Sequence, residues 1–227
     1  MSKHTISIAI DGPSGAGKST LAKSLASTLK FLYVDTGAIY RTIGLYAFQS
    51  KIQPEERQTV IAFLPQLSVQ ILYGEDGLQH MILNGQDVTK EIRLPEISMY
   101  ASVVSAYPEV RHYLLEMQRE FARKNNVIMD GRDIGTVVLP DADVKIFLTA
   151  SPEARAHRRC LELQQRGTAE AYEKVLQDIL QRDRQDSSRA TAPLKQAEDA
   201  VLLDTTELSF EESKAELLGI IKEKTGI

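Results

Sequence analysis

The chain has 227 residues, with 27 Lys and Arg against 31 Asp and Glu for a net charge of −4, and a single cysteine. That length fits one α/β domain with a sizeable core. The acidic balance, without a long basic run, argues against a protein held on nucleic acid by phosphate neutralisation. Cys160 alone cannot form an internal disulfide or a cysteine-based zinc site, which suits a reducing compartment. No apolar run approaches the ~18 residues of a membrane span, and Asp11 interrupts any signal-peptide core, so the expected location is the cytoplasm. His4, His80, His112 and His157 stand at no metal-ligand spacing and are expected at the surface.

In chain order, residues 5–11 form a short β-branched apolar run, expected as a buried parallel strand. Gly12, Pro13, Ser14, Gly15, Ala16, Gly17, Lys18, Ser19 and Thr20 follow, spelling G-x-x-x-x-G-K-S. Leu21, Leu25 and Leu29 then keep helical spacing. Strand, glycine loop and helix together make a phosphate-binding loop. Its backbone N–H groups and helix N-terminus cradle phosphate oxygens, Lys18 reaches the β and γ phosphates, and Ser19 offers a hydroxyl to Mg²⁺. The chain is therefore expected to bind a nucleoside triphosphate.

Further strands are expected at 31–35, 127–130, 144–149 and 201–204, with helical patterns between them. Such alternation implies a parallel sheet covered by helices on both faces. Asp11, Asp35 and Asp130 each end a strand, and ligands of open α/β sheets lie at those carboxyl ends. Chemistry is expected to gather there. Residues 67–73 and 78–83 alternate with period two around turn signals at 74–77 and 84–85, predicting an antiparallel insert over about 66–93.

Ser151 and Pro152 open a helix carrying Arg155, Arg158 and Arg159. A second helix is expected over about 168–186, placing Arg182, Asp186 and Arg189 on one face near its end. On composition alone these arginines read as a solvated helix face laced with ion pairs. Beside a phosphate loop they read as a lid, because phosphoryl transfer needs arginines that close over the transferring group.

Four stretches carry a resemblance: D-T-G-x-x-Y-R at 35–41, Ser102 with Arg111, D-G-R-D-x-G-T at 130–136, and D-x-x-R at 186–189. Together with the loop and the insert, they make the chain similar to the bacterial cytidylate kinases over residues 5 to 227. The resemblance implies a P-loop three-layer α/β fold with a parallel sheet, a small antiparallel insert and a helical lid. One kinase domain would comprise a core of 1–65, 94–150 and 191–227, the insert of 66–93 and a lid of 151–190. The implied reaction is ATP plus CMP or dCMP to ADP plus CDP or dCDP, with Mg²⁺, and the resemblance implies a monomer.

By the same resemblance, Asp133 takes the cytosine amino group while Ser102 and Arg111 read the ring acceptors, a division that fits the donor and acceptor pattern of that base. Arg41, Arg132 and Arg182 clamp the acceptor phosphate, Asp186 takes a ribose hydroxyl, and Arg189 approaches the phosphates. Thr36 and Tyr40 fall on the acceptor side, Tyr40 serving either the nucleotide or the core. Arg155, Arg158 and Arg159 face the ATP side, with Arg158 assigned to ATP itself. Asp35 and Asp130 are candidates for outer-shell support of Mg²⁺, Asp130 preferred beside Ser19. A kinase for another small acceptor would use the same loop and lid. A switch GTPase is disfavoured because no N-K-x-D motif occurs.

Overall fold

The computed structural model describes residues 5–75, 77–165 and 167–227; His4, and residue 76 of the turn expected at 74–77, lie outside that set. Five strands, β1 (Ser7–Asp11), β2 (Leu32–Asp35), β6 (Val127–Gly131), β7 (Val144–Thr149) and β8 (Val201–Asp204), form a wholly parallel sheet in the order β2-β6-β1-β7-β8. β1 sits at its centre because Ile8, Ala9 and Ile10 are fully buried on both faces. One face packs Ile8, Ile10, Ile128 and Ile146 against helices α1 (Lys18–Leu29) and α8 (Phe210–Thr225). The other packs Ala9, Val34, Val127 and Met129 against α2 (Thr36–Gln49), α4 (Pro95–Val104) and α5 (Pro108–Lys124).

The antiparallel insert consists of β3 (Val69–Tyr73), β4 (Gln79–Leu83) and a two-residue β5 (Gln86–Asp87), preceded by α3 (Arg57–Phe63). It does not stand apart, since Ile71, Met81, Leu83 and Val88 join the same core cluster as α2 and α4. Helices α6 (Pro152–Gln165) and α7 (Tyr172–Ser187) share a separate small core of Ala156, Val175 and Ile179. The Ser151 hydroxyl accepts from the Ala154 amide at 3.1 Å, so the serine cap read from sequence is formed.

The start of α7 differs from the sequence expectation. α7 begins at Tyr172 rather than near 168, because Ala171 is extended at φ −65°, ψ 137° and the chain before it folds back onto α6 through Thr168 N to Leu163 O, 3.0 Å. The three aspartates at the carboxyl ends of the strands lie on different faces of the sheet. β1 and β6 pair Ile10 with Asp130 and Asp11 with Gly131, so the pleat sends Asp11 and Asp130 to opposite sides of the sheet.

Candidate active site

Gly12 turns the chain out of β1 at φ +149°, and a Cβ there would lie 1.9 Å from the Leu148 carbonyl oxygen. No side chain fits, so the loop is fixed where the backbone leaves the sheet. Gly17 precedes α1 in the left-handed region, and no side chain caps that helix. Its first N–H groups are left facing the loop, the arrangement that receives phosphate oxygens. Lys18 is buried within this loop, its ammonium donating to the Pro13 carbonyl at 2.6 Å. Burial and Arg132 push its pKa well below the usual lysine range, against the pull of Asp130 and Asp11.

Asp130 ends β6 on the α1 side. Its Oδ2 accepts from the Ser19 hydroxyl and its Oδ1 from the Tyr33 phenol, both at 2.7 Å. Burial and the nearby Asp35 push the Asp130 carboxyl up, while Lys18 and the two hydroxyl donors pull it down. Tyr33 was not anticipated from sequence; its position two residues before Asp35 on a buried strand reads only as core. The Thr36 hydroxyl, expected on the acceptor side, donates to the Asp130 carbonyl at 2.7 Å and ties the start of α2 to β6.

Asp35 caps α2 by accepting from the Ala38 amide at 2.9 Å, and its Oδ2 pairs with Arg41 at 2.8 Å and with Arg93 at 3.5 Å. It therefore sits among arginines, whereas Asp130 meets Ser19. The insert reaches the same place: the Gln79 side-chain oxygen accepts from the Asp35 amide at 2.7 Å, and the Tyr73 hydroxyl donates to the Tyr33 carbonyl at 2.8 Å.

Beyond β6 the chain forms a wide, π-type turn over Ile134–Val138. Asp133, directly before it, is 4% exposed and paired with Arg111 of α5. Arg111 also donates to the Ser105 carbonyl at 2.9 Å and lies 5.3 Å from the Tyr40 ring centroid. Tyr40 thus supports Arg111 from below; burial, chiefly, lifts its phenol to about 12. Ser102 lies half-buried on α4, one turn before Ser105.

From the lid, Asp186 of α7 is 1% exposed and accepts from Arg132 Nε at 2.7 Å and from Arg189. Burial pushes its carboxyl up, but Arg132 and Arg189 outweigh that and hold it below the usual range. Arg182 lies beside them, and burial together with Arg132 pulls its guanidinium down to about 10. The Nε atoms of Arg182 and Arg41 are buried with no hydrogen-bond partner among the described residues. Arg41 is thus paired with Asp35, and Arg132 and Arg189 share Asp186, while Arg182 and Lys18 lie buried beside Arg132.

The remaining lid arginines separate. Arg155 is 3% exposed and joins the phosphate loop to the lid: Nη1 donates to the Ser14 carbonyl at 2.9 Å, and Nη2 to Asp183 of α7 at 2.6 Å. Arg158, the residue assigned to ATP on sequence, donates instead to Thr205 after β8, with Nη1 3.2 Å from its hydroxyl. Three residues, about 4.5 Å along the axis, separate it from Arg155 at the loop. Arg159 pairs with Glu162 at the surface. Among the described residues no three His, Cys, Asp or Glu side chains group to hold a metal, and no helix is long and apolar enough to cross a membrane.

The cytidylate kinase family model matches residues 8–223. A cytidylate kinase from Caldicellulosiruptor bescii is 53% identical over 207 residues, covering 91% of each chain. One from Carboxydothermus hydrogenoformans is 49% identical over 220 residues, covering 97% of this chain and 99% of the relative. Among solved structures, an uncharacterized protein from Eubacterium ventriosum shares the fold with a TM-score of 0.53 at 11% identity, covering 96% of this chain and 99% of that one.

Proposed function

The chain belongs to the cytidylate kinase family, and from that premise we propose how its cleft transfers the γ-phosphoryl group of ATP to CMP or dCMP, giving ADP and CDP or dCDP. The observation that carries the reading is the buried pair of unpartnered guanidinium nitrogens, on Arg41 and Arg182, facing Arg132 and Lys18. Uncompensated like charge is costly to bury, and a phosphate dianion is the ligand that repays it.

ATP lies along residues 12–20 with its phosphates on the loop N–H groups and Lys18. Ser19 Oγ would offer Mg²⁺ an oxygen ligand, with Asp130 Oδ2, 2.7 Å from that hydroxyl, as outer-shell support. Bound there, the ion would supply charge neutralisation at the phosphate oxygens. Arg41, Arg132 and Arg182 hold the acceptor phosphate in line by forked hydrogen bonds, which a lysine could not direct as well. The acceptor oxygen is already ionised, so no general base is needed: its bond to the γ-phosphorus forms as the bond to the β–γ bridging oxygen breaks, and ADP leaves. Asp186 at the end of α7 and Arg189 just beyond it close the site, and Asp186 offers its carboxylate to the ribose.

Arg111 and Asp133 form the base pocket, with Ser102 at its edge. Asp133 accepts from the cytosine amino group; uracil presents an oxygen there, leaving two acceptors facing each other. In Asp133→Ala, kcat/KM for CMP is expected to fall about 10–100-fold, with UMP changed far less. Coupled ADP release with both nucleotides measures this, and equal loss on CMP and UMP would remove Asp133 from base reading. The α6–α7 pair serves as lid, the β3–β5 insert as acceptor lobe, and the enzyme works as a cytoplasmic monomer on small nucleotides.

A further inference from the structure

Asp11 ends β1 one residue before the phosphate loop, and its side chain serves neither ATP nor Mg²⁺ in the scheme above. It is 5% exposed, and both carboxylate oxygens are engaged: Oδ1 accepts from the Ile134 amide at 2.8 Å and Oδ2 from the Gly135 amide at 2.7 Å. These are the first two N–H groups of the π-type turn, whose own hydrogen bonds begin only at Val137 N to Asp133 O. A carboxylate more than 120 residues away in sequence thus satisfies donors that the turn leaves orphaned.

No cation comes within ion-pair distance of Asp11 among the described residues. Burial pushes its carboxyl up to about 6, the two amide bonds oppose that, Asp133 pushes it further up and Lys18 draws it down. A buried carboxylate without a counter-ion is a poor source of stability. Its geometry has a different use. No other side chain of this size accepts from two consecutive amides: asparagine has one oxygen and would set its NH₂ against the second N–H.

The two ends of this grip are both fixed. On one side Asp11 is held in register between β6 and β7, and Gly12 beside it lies under the Leu148 carbonyl. On the other, Gly135 brings its backbone so close that an added Cβ would lie 3.2 Å from Lys145 Cδ and 3.4 Å from Asp11 Oδ2. Arg132 and Asp133 directly precede the gripped amides. We propose that Asp11 is a positioning residue that sets the acceptor-reading turn of Arg132 and Asp133 at a fixed distance from the phosphate loop, and so governs base discrimination. This rests on the assignment of Asp133 to the cytosine edge.

The test compares kcat/KM for CMP and UMP, and KM for ATP, in wild type, Asp11→Asn, Gly135→Ala and Asp133→Ala. Asp11→Asn removes one of the two contacts, and Gly135→Ala crowds the turn against Lys145, so that the turn or the lysine must give by a few tenths of an ångström, without changing the carboxylate. The CMP-to-UMP ratio is expected to fall about tenfold or more in Asp11→Asn, and in the same direction in Gly135→Ala, with KM for ATP shifting less than about twofold. A purely structural Asp11 would lower activity on both acceptors alike and leave the ratio where it is, which would overturn the proposal. If Asp11→Asn does not fold, an unchanged ratio in Gly135→Ala overturns it instead. An unchanged ratio in Asp133→Ala would show that the base assignment itself has failed, and the proposal with it; a ratio lost in Asp133→Ala but kept in Asp11→Asn sinks the Asp11 role alone.

Discussion

In Lys18→Ala, ADP release is expected to fall at least about 10³-fold with every acceptor, which corresponds to about 4 kcal/mol of transition-state stabilisation. The lysine sits 5% exposed within the loop, held by the Pro13 carbonyl at 2.6 Å and flanked by Asp130 and Asp11. Its charged neighbours Arg132 and Arg182 are assigned to the acceptor phosphate in the proposed scheme, so neither replaces it. The loss should be uniform across CMP, dCMP and UMP, because Lys18 meets the donor and not the acceptor base. The fold should survive, since removing a desolvated ammonium relieves a burial cost. Coupled ADP release alongside urea unfolding checks both halves; an acceptor-dependent loss would place Lys18 elsewhere.

Arg182→Ala should show opposite signs in activity and stability. Its guanidinium is buried among Arg132, Arg41 and Arg189, with Asp186 pulling it up and Nε without a partner among the described residues. In the free enzyme this is repulsion, so truncation should leave stability unchanged or raise it by about 1 kcal/mol. In the proposed complex the same group holds the acceptor phosphate, and its loss should cost about 10²–10³-fold in kcat/KM for CMP. Arg182→Lys should restore only part of this, because an ammonium lacks the fork. Thermal unfolding of the free protein and CMP kinetics measure the two effects; a variant that is both destabilised and fully active would contradict them.

How far these roles could be read from sequence depended on how local each signal was. The phosphate loop was fully legible, because strand, glycines, lysine and helix are contiguous. The strands at 144–149 and 201–204 were read to the residue, since β-branched runs bounded by loops leave little freedom. The antiparallel insert was legible from its alternation, but the two-residue β5 was too short to carry a period. Arg155 and Arg158 could not be separated, as three-residue spacing gives a shared face without saying which turn meets the loop. The face of Asp11 was hidden for a similar reason: its side follows from the register of β1 against β6, which only the assembled sheet sets. Tyr33, Gln79 and Tyr73 act through partners 40 or more residues away, and nothing in their own neighbourhoods marks them.

The most direct test of the central claim is coupled ADP release from ATP and Mg²⁺ with CMP, dCMP, UMP, AMP, GMP and dTMP offered separately at equal concentration. A pocket built from Asp133, Arg111 and Ser102 beside an arginine clamp predicts turnover with CMP and dCMP well above the other four. Comparable turnover with a purine acceptor, or none with either cytosine nucleotide, would contradict it.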